Sequence, residues 1–233
     1  NPQDYIAGFP PHPHRGFETV TYLLAGRMRH QDHAGHEGVI EAGGIQWMTA
    51  GKGIVHSEMP EQQDGLLEGF QLWVNLPAGH KMDQPAYQEV SAEGIPVELR
   101  DGGVEVRVIS GVTSLGCQGP VVQPLTEPLY LDVSLPAGQD IIEKLPATHN
   151  AFVYVIEGPV VVNADNERVL HRDDLAVLSE GDGVSVKAGE QGGRFLLVAG
   201  KPLNEPVARG GPFVMNTREE IDQAFADYKA GRM

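Results

Sequence analysis

The sequence predicts an all-β protein built from two copies of one β domain and closed by a short C-terminal helix. Three observations carry this expectation. Short β-rich runs recur along all 233 residues, separated by turn formers that include 29 glycines and 17 prolines. Two blocks of sequence recur in the same order at nearly the same offset. Only one segment, at the end of the chain, carries a full set of helix signals.

The β runs are Phe17–Leu24 (FETVTYLL), Gly69–Leu76 (GFQLWVNL), Val104–Ile109 (VEVRVI), Leu129–Leu135 (LYLDVSL), Ala151–Ile156 (AFVYVI) and Phe195–Ala199 (FLLVA). They are rich in β-branched and aromatic residues, and many short strands at close spacing read as a sandwich or barrel. The helix is expected over Thr217–Lys229 (TREEIDQAFADYK). There Thr217 and Glu220 have the spacing of a capping box, and Ile221, Ala224, Phe225 and Tyr228 share one apolar face.

The first repeated block pairs Phe17–Gly26 (FETVTYLLAG) with Asn150–Gly158 (NAFVYVIEG), matching Tyr22 to Tyr154. The second pairs Val39–Gly53 with Val169–Gly183, matching Gly51 to Gly181 and Gly53 to Gly183. The second copy begins near Val97, well ahead of its Tyr154 block, whereas only 21 residues precede Tyr22. Further strands of the first domain are therefore expected upstream of Asn1. A linker at Ser91–Pro96 (SAEGIP) divides the chain into an N-terminal domain, 1–96, and a C-terminal domain with the helix, 97–233.

Composition narrows the function. A content of 41% hydrophobic and 21% charged residues is that of a folded protein. The absence of an apolar run of about 18 residues argues against a membrane-spanning helix. With 32 acidic and 17 basic residues the net charge is −15, which repels phosphate backbones and argues against direct nucleic-acid binding. The lone Cys117 leaves no intramolecular disulfide and suits a reducing compartment, so a cytoplasmic location is expected. There is no phosphate-binding loop, nucleophile elbow or dinucleotide fingerprint.

The histidines carry the chemistry. Seven of the nine precede residue 97. His12-Pro13-His14 and His56-Ser57-Glu58 each place two ligand types two residues apart, which on a strand puts both on one face. Together they offer three imidazoles and a carboxylate, a set suited to Fe(II), with Mn, Ni, Cu and Zn also compatible. Glu18 is a rival to Glu58, because strand parity counted from His14 also points it inward. The repeat places His56 and Glu58 on Val186 and Ala188, and His12 and His14 near Lys144 and Pro146, so the second copy lacks the set. His30, His33 and His36 read as a polar hairpin loop; His80, His149 and His171 as surface or packing residues; Cys117 as a buried thiol; Trp47 and Trp73 as core.

Gly8–Leu24 (GFPPHPHRGFETVTYLL), Ile45–Pro60 (IQWMTAGKGIVHSEMP), Gln71–Leu76 (QLWVNL) and Gly211–Thr217 (GPFVMNT) closely resemble the pirin family of the cupin superfamily, over nearly the whole chain. The resemblance implies a bicupin: two cupin jelly-roll barrels with a short C-terminal helix. It implies one Fe(II) in the N-terminal cupin, with His12, His14, His56 and Glu58 at the ligand positions, and a degenerate second cupin. The family also implies a function. One reading is a dioxygenase that opens the ring of quercetin-type flavonols with O2, Glu58 acting as general base. The alternative is an iron-dependent, redox-sensitive regulator with a protein partner, a transcription factor or a metabolic enzyme.

Overall fold

In the computed structural model, which describes residues 2–62, 64–162 and 168–233, the chain divides into two compact units. One comprises Asn1–Gly94 and Leu203–Met233, the other Ile95–Pro202.

After a single turn of helix, α1 (Pro2–Tyr5), the first unit runs through eight strands. These are β1 (Phe9–His14), β2 (Phe17–Ala25), β3 (Arg27–Asp32), β4 (Glu37–Glu41), β5 (Ile45–Thr49), β6 (Ile54–Pro60), β7 (Glu68–Asn75) and β8 (Ala86–Val90). They form two antiparallel sheets of four strands, in the orders β1-β6-β3-β4 and β7-β2-β5-β8. The three prolines of β1 lie on an edge strand, where a missing N–H breaks no internal ladder.

The second unit contains β9 (Val97–Arg100), β10 (Val104–Ser110), β11 (Leu129–Leu135), β12 (Asp140–Lys144), β13 (Asn150–Glu157), β14 (Val160–Val162), β15 (Arg168–Leu170), β16 (Leu175–Val177), β17 (Gly183–Ala188) and β18 (Gly193–Gly200). Its sheets are ordered β12-β17-β14-β15 and β16-β13-β18-β11-β10-β9. The first reproduces β1-β6-β3-β4, and β16-β13-β18 reproduces β5-β2-β7. The repeat seen in sequence is thus a repeat of topology.

The interiors differ. That of the second unit is apolar, with Val106 and Val108, Leu131 and Val133, Val153 and Val155, and Phe195 and Leu197 at two-residue spacing in one core. The first unit buries His14, His30, Asp32, His56 and Glu58.

Register corrects one sequence expectation. His12 pairs with His56 and His14 with Ile54, while Ile141 pairs with Val186 and Glu143 with Val184. The counterparts of His12 and His14 are therefore Ile141 and Glu143, not Lys144 and Pro146. Val186 and Ala188 pack in the apolar core alongside Ile141. The fully buried Glu143 carboxylate pairs with Arg100 at 2.7 Å, and Arg100 also pairs with Glu98. Removing one member of such a pair leaves a buried charge uncompensated and costs about 3–5 kcal/mol. Arg100→Met is thus expected to lower the urea midpoint of the second unit, and Arg100→Met with Glu143→Leu to recover part of the loss. A double variant no more stable than the single one would contradict this account.

The chain then returns to the first unit through β19 (Ala208–Gly210), β20 (Phe213–Met215) and α2 (Arg218–Lys229). The expected boundary places this segment in the second domain, 97–233, whereas it packs with the first unit. Its attachments explain the difference. Asp227 pairs with Arg15 at 2.8 Å, Val214 N–H donates to the Arg15 carbonyl, and the buried Lys81 ammonium donates to the carbonyls of Gly16 and Val214. The expected capping box of Thr217 and Glu220 is present. Ile221 and Ala224 are buried and Phe225 packs edge-on against Phe213 at 4.9 Å, but Tyr228, expected on the same face, is exposed.

Candidate metal centre

Strands β1 and β6 bring His12, His14 and His56 together. Their backbone register sets His12 opposite His56, with an irregularity between Phe9 and His12 that brings Phe9 opposite Glu58. One ring nitrogen from each of His12, His14 and His56 lies within 4.8 Å of the others. The ring centroids are 4.5–5.1 Å apart.

The nitrogens are prepared to bind a cation. His12 Nδ1 lies 2.9 Å from the Pro10 carbonyl, which can only accept, so this nitrogen carries the hydrogen and Nε2 keeps its lone pair. That Nε2 is 3.0 Å from His56 Nε2. Neither ring nitrogen of His14 reaches a partner at good hydrogen-bond geometry among the described residues, nor does His56 Nδ1. Burial, reinforced by the neighbouring imidazoles, lowers the pKa of His14 to about 4 and that of His56 to about 3; the Pro212 backbone opposes the shift at His14 and Asp32 opposes it at His56. The buried, neutral rings of His14 and His56, facing the half-buried His12, fit a borderline divalent metal.

These shifts set a pH dependence. The folded histidines titrate below the unfolded value of 6.5, so below pH 6.5 the unfolded chain binds more protons and stability falls. Two such groups give a slope of up to roughly 2–3 kcal/mol per pH unit. The metal-free protein is expected to lose urea stability between pH 7 and pH 5, and His56→Gln to show a shallower loss. An unchanged slope would contradict the burial of these rings as neutral species.

Glu58 is buried beside the three histidines, its Oε2 3.9 Å from His56 Nε2. It accepts from Thr21 Oγ1 at 3.2 Å and from Gln71 Nε2, at 3.0 Å to each oxygen. Glu18 is turned away from this cluster. Phe17 packs on His14 at 5.2 Å and Thr21 bonds Glu58, so the odd-numbered residues of β2 face the site. Glu18 lies on the other face and accepts from Thr49. Parity counted from His14 fails because Gly16, at φ 86°, turns the chain between β1 and β2. A Cβ there would lie 2.1 Å from the Val214 carbonyl oxygen.

Two further expectations change. His30 is a buried strand residue, not a loop residue, and lies 2.8 Å from Glu89; only His33 and His36 lie in the turn between β3 and β4. Trp47 is core, but Trp73 packs against His14 at 5.6 Å and Phe17 at 4.3 Å and so lines the site. Cys117 is half-buried against the second unit's core, and burial raises its pKa. The sequence reading missed Thr21 and Gln71. The available signal was the i, i+2 pair Gln71 and Trp73, the same one-face spacing as His12 and His14.

A cavity of about 490 Å³ in the first unit is lined by Asp32, His36, Lys52, Ile54 and Tyr87 among others. No described helix is long and apolar enough to cross a membrane.

Comparison with known proteins agrees with this architecture. The family model described as Pirin matches residues 1–74, and that described as Pirin C-terminal cupin domain matches residues 130–233. A Pirin-like protein of Caulobacter vibrioides is 56% identical, over 98% of this chain and 82% of that protein. Human Pirin is 47% identical, over 95% of this chain and 76% of its own length. The crystal structure of a quercetin 2,3-dioxygenase from Acinetobacter baumannii superposes with a TM-score of 0.90 at 41% identity, covering 97% of this chain and 78% of that one.

Proposed function

The chain belongs to the pirin family of bicupins, and from that premise we propose that it is a metal-dependent dioxygenase that cleaves the ring of quercetin-type flavonols with O2. The observation that carries this reading is the convergence of three imidazoles, those of His14 and His56 buried and that of His12 half-buried, beside a buried carboxylate, in a fold shared with a solved quercetin dioxygenase at 41% identity.

In this reading His12, His14 and His56 hold one divalent metal, Fe(II) first among the candidates, and Glu58 adds a carboxylate oxygen. The metal supplies Lewis acidity and access to dioxygen. The protein's own residues do the rest. Glu58 Oε2, the oxygen nearer His56, accepts the flavonol 3-hydroxyl proton. The exposed Phe9, 6.5 Å from His12, offers a ring to a flat aromatic substrate, and Trp73 lines the site beside His14. Ring opening consumes one O2 and releases carbon monoxide and a depside.

The test is to purify the protein anaerobically with Fe(II), measure its metal content, and follow quercetin loss together with carbon monoxide release in air. Metal-dependent release of carbon monoxide in step with quercetin loss is the expected result. One bound iron per chain without turnover would replace this reading with that of the redox-sensitive regulator.

A further inference from the structure

The hydrogen bonds around Glu58 treat its two oxygens unequally. Among the described residues Oε1 accepts from both Thr21 Oγ1 and Gln71 Nε2, whereas Oε2 accepts only from Gln71 and faces His56 Nε2. Gln71 Nε2 is 3.0 Å from each oxygen. A single nitrogen equidistant from both sits on the bisector of the carboxylate, where a cation sits when both oxygens bind it.

The amide cannot simply turn over. Trp73 Nε1 lies 3.3 Å from Gln71 Oε1. An indole N–H only donates, so Oε1 faces Trp73 and Nε2 faces Glu58. Neighbouring strands build the device. Thr21 on β2 and Gln71 on β7 are directly paired, and Trp73 follows two residues later on the same face, opposite Thr19.

We propose that Gln71 and Thr21 are positioning residues that keep Glu58 Oε1 and the carboxylate bisector occupied, so that Oε2 alone is presented to the three histidines. The proposal rests on the metal-centre reading above. Its consequence is a count of positions. Three imidazoles and one carboxylate oxygen leave two of six positions open around an octahedral ion, enough for a substrate oxygen and dioxygen. Three imidazoles and both oxygens would leave one.

The test uses the Co(II)-loaded protein, whose visible absorption reports the number of donor atoms independently of turnover. Gln71→Leu removes the donor on the bisector. Thr21→Val removes the hydroxyl at constant shape, and Thr21→Ser keeps it. Gln71→Leu is expected to retain one Co(II) per chain, to change the Co(II) spectrum, and to lower the Fe(II) enzyme's kcat about tenfold or more with a smaller change in KM. Thr21→Val should change the spectrum in the same direction by less, and Thr21→Ser should match the parent. If Gln71→Leu fails to fold, the Thr21 pair decides alone. Spectra of Gln71→Leu and Thr21→Val that superimpose on the parent overturn the proposal, even where turnover is lost. A parent protein that binds no Co(II) overturns both this proposal and the metal-centre reading. A parent that binds Co(II) but shows no quercetin turnover overturns only the substrate assignment, and the spectra still decide the role of Gln71.

Discussion

His56→Ala is expected to release the metal and abolish flavonol cleavage while leaving the second unit folded. His56 is the ligand candidate that ties the pairs together. It lies on β6, its Nε2 is 3.0 Å from His12 Nε2, and Glu58 follows two residues later on the same face. Without it two imidazoles on β1 and one carboxylate on β6 remain. Metal content should fall from one ion per chain to near zero after gel filtration. A ligand present at about a thousand times its dissociation constant stabilises the folded state by roughly 4 kcal/mol. The parent's thermal midpoint should therefore rise on adding metal, and the variant's should not. The second unit rests on its own apolar core, so hydrogen-exchange protection of β11, β13 and β18 should be retained. Stoichiometric metal in the variant would sink the ligand assignment.

Glu58→Gln carries the second large effect. The amide matches the carboxylate in shape but has neither its charge nor a second acceptor oxygen, so it cannot take the 3-hydroxyl proton. General-base catalysis contributes about 10²- to 10⁴-fold, and turnover should fall by that range in a protein that still takes up metal at excess supply through His12, His14 and His56. Initial rates of carbon monoxide release, normalised to measured metal, give the comparison. A variant within about threefold of the parent would remove Glu58 from the chemistry.

Much of the site was legible because strand periodicity is local. His12 with His14, and His56 with Glu58, share a face in any extended segment. Two such pairs in one predicted domain were enough to nominate the cluster that the structure assembles around the histidines. The same rule misled at Glu18, since Gly16 interrupts the extended chain and resets the parity. It also left Gln71 and Thr21 unnoticed. Each is an ordinary strand residue until β7 is laid beside β2 and their side chains meet at Glu58.

The sequence by itself determined the all-β class, the doubled domain, the capped terminal helix and the two same-face pairs, His12 with His14 and His56 with Glu58. All of these follow from interactions within a few residues: alternation along a strand, turn residues at its ends, and a side chain capping its own helix. Only the tertiary structure decided which residues stand in place of His12 and His14 in the second copy, where the terminal helix docks and what holds Glu58. Those depend on contacts between residues far apart in the chain. Ile141 and Glu143 are set by pairing with β17, Asp227 meets Arg15, and Gln71 meets Glu58. Cross-strand register and the burial of charge select such pairs, and neither leaves a local pattern in the sequence.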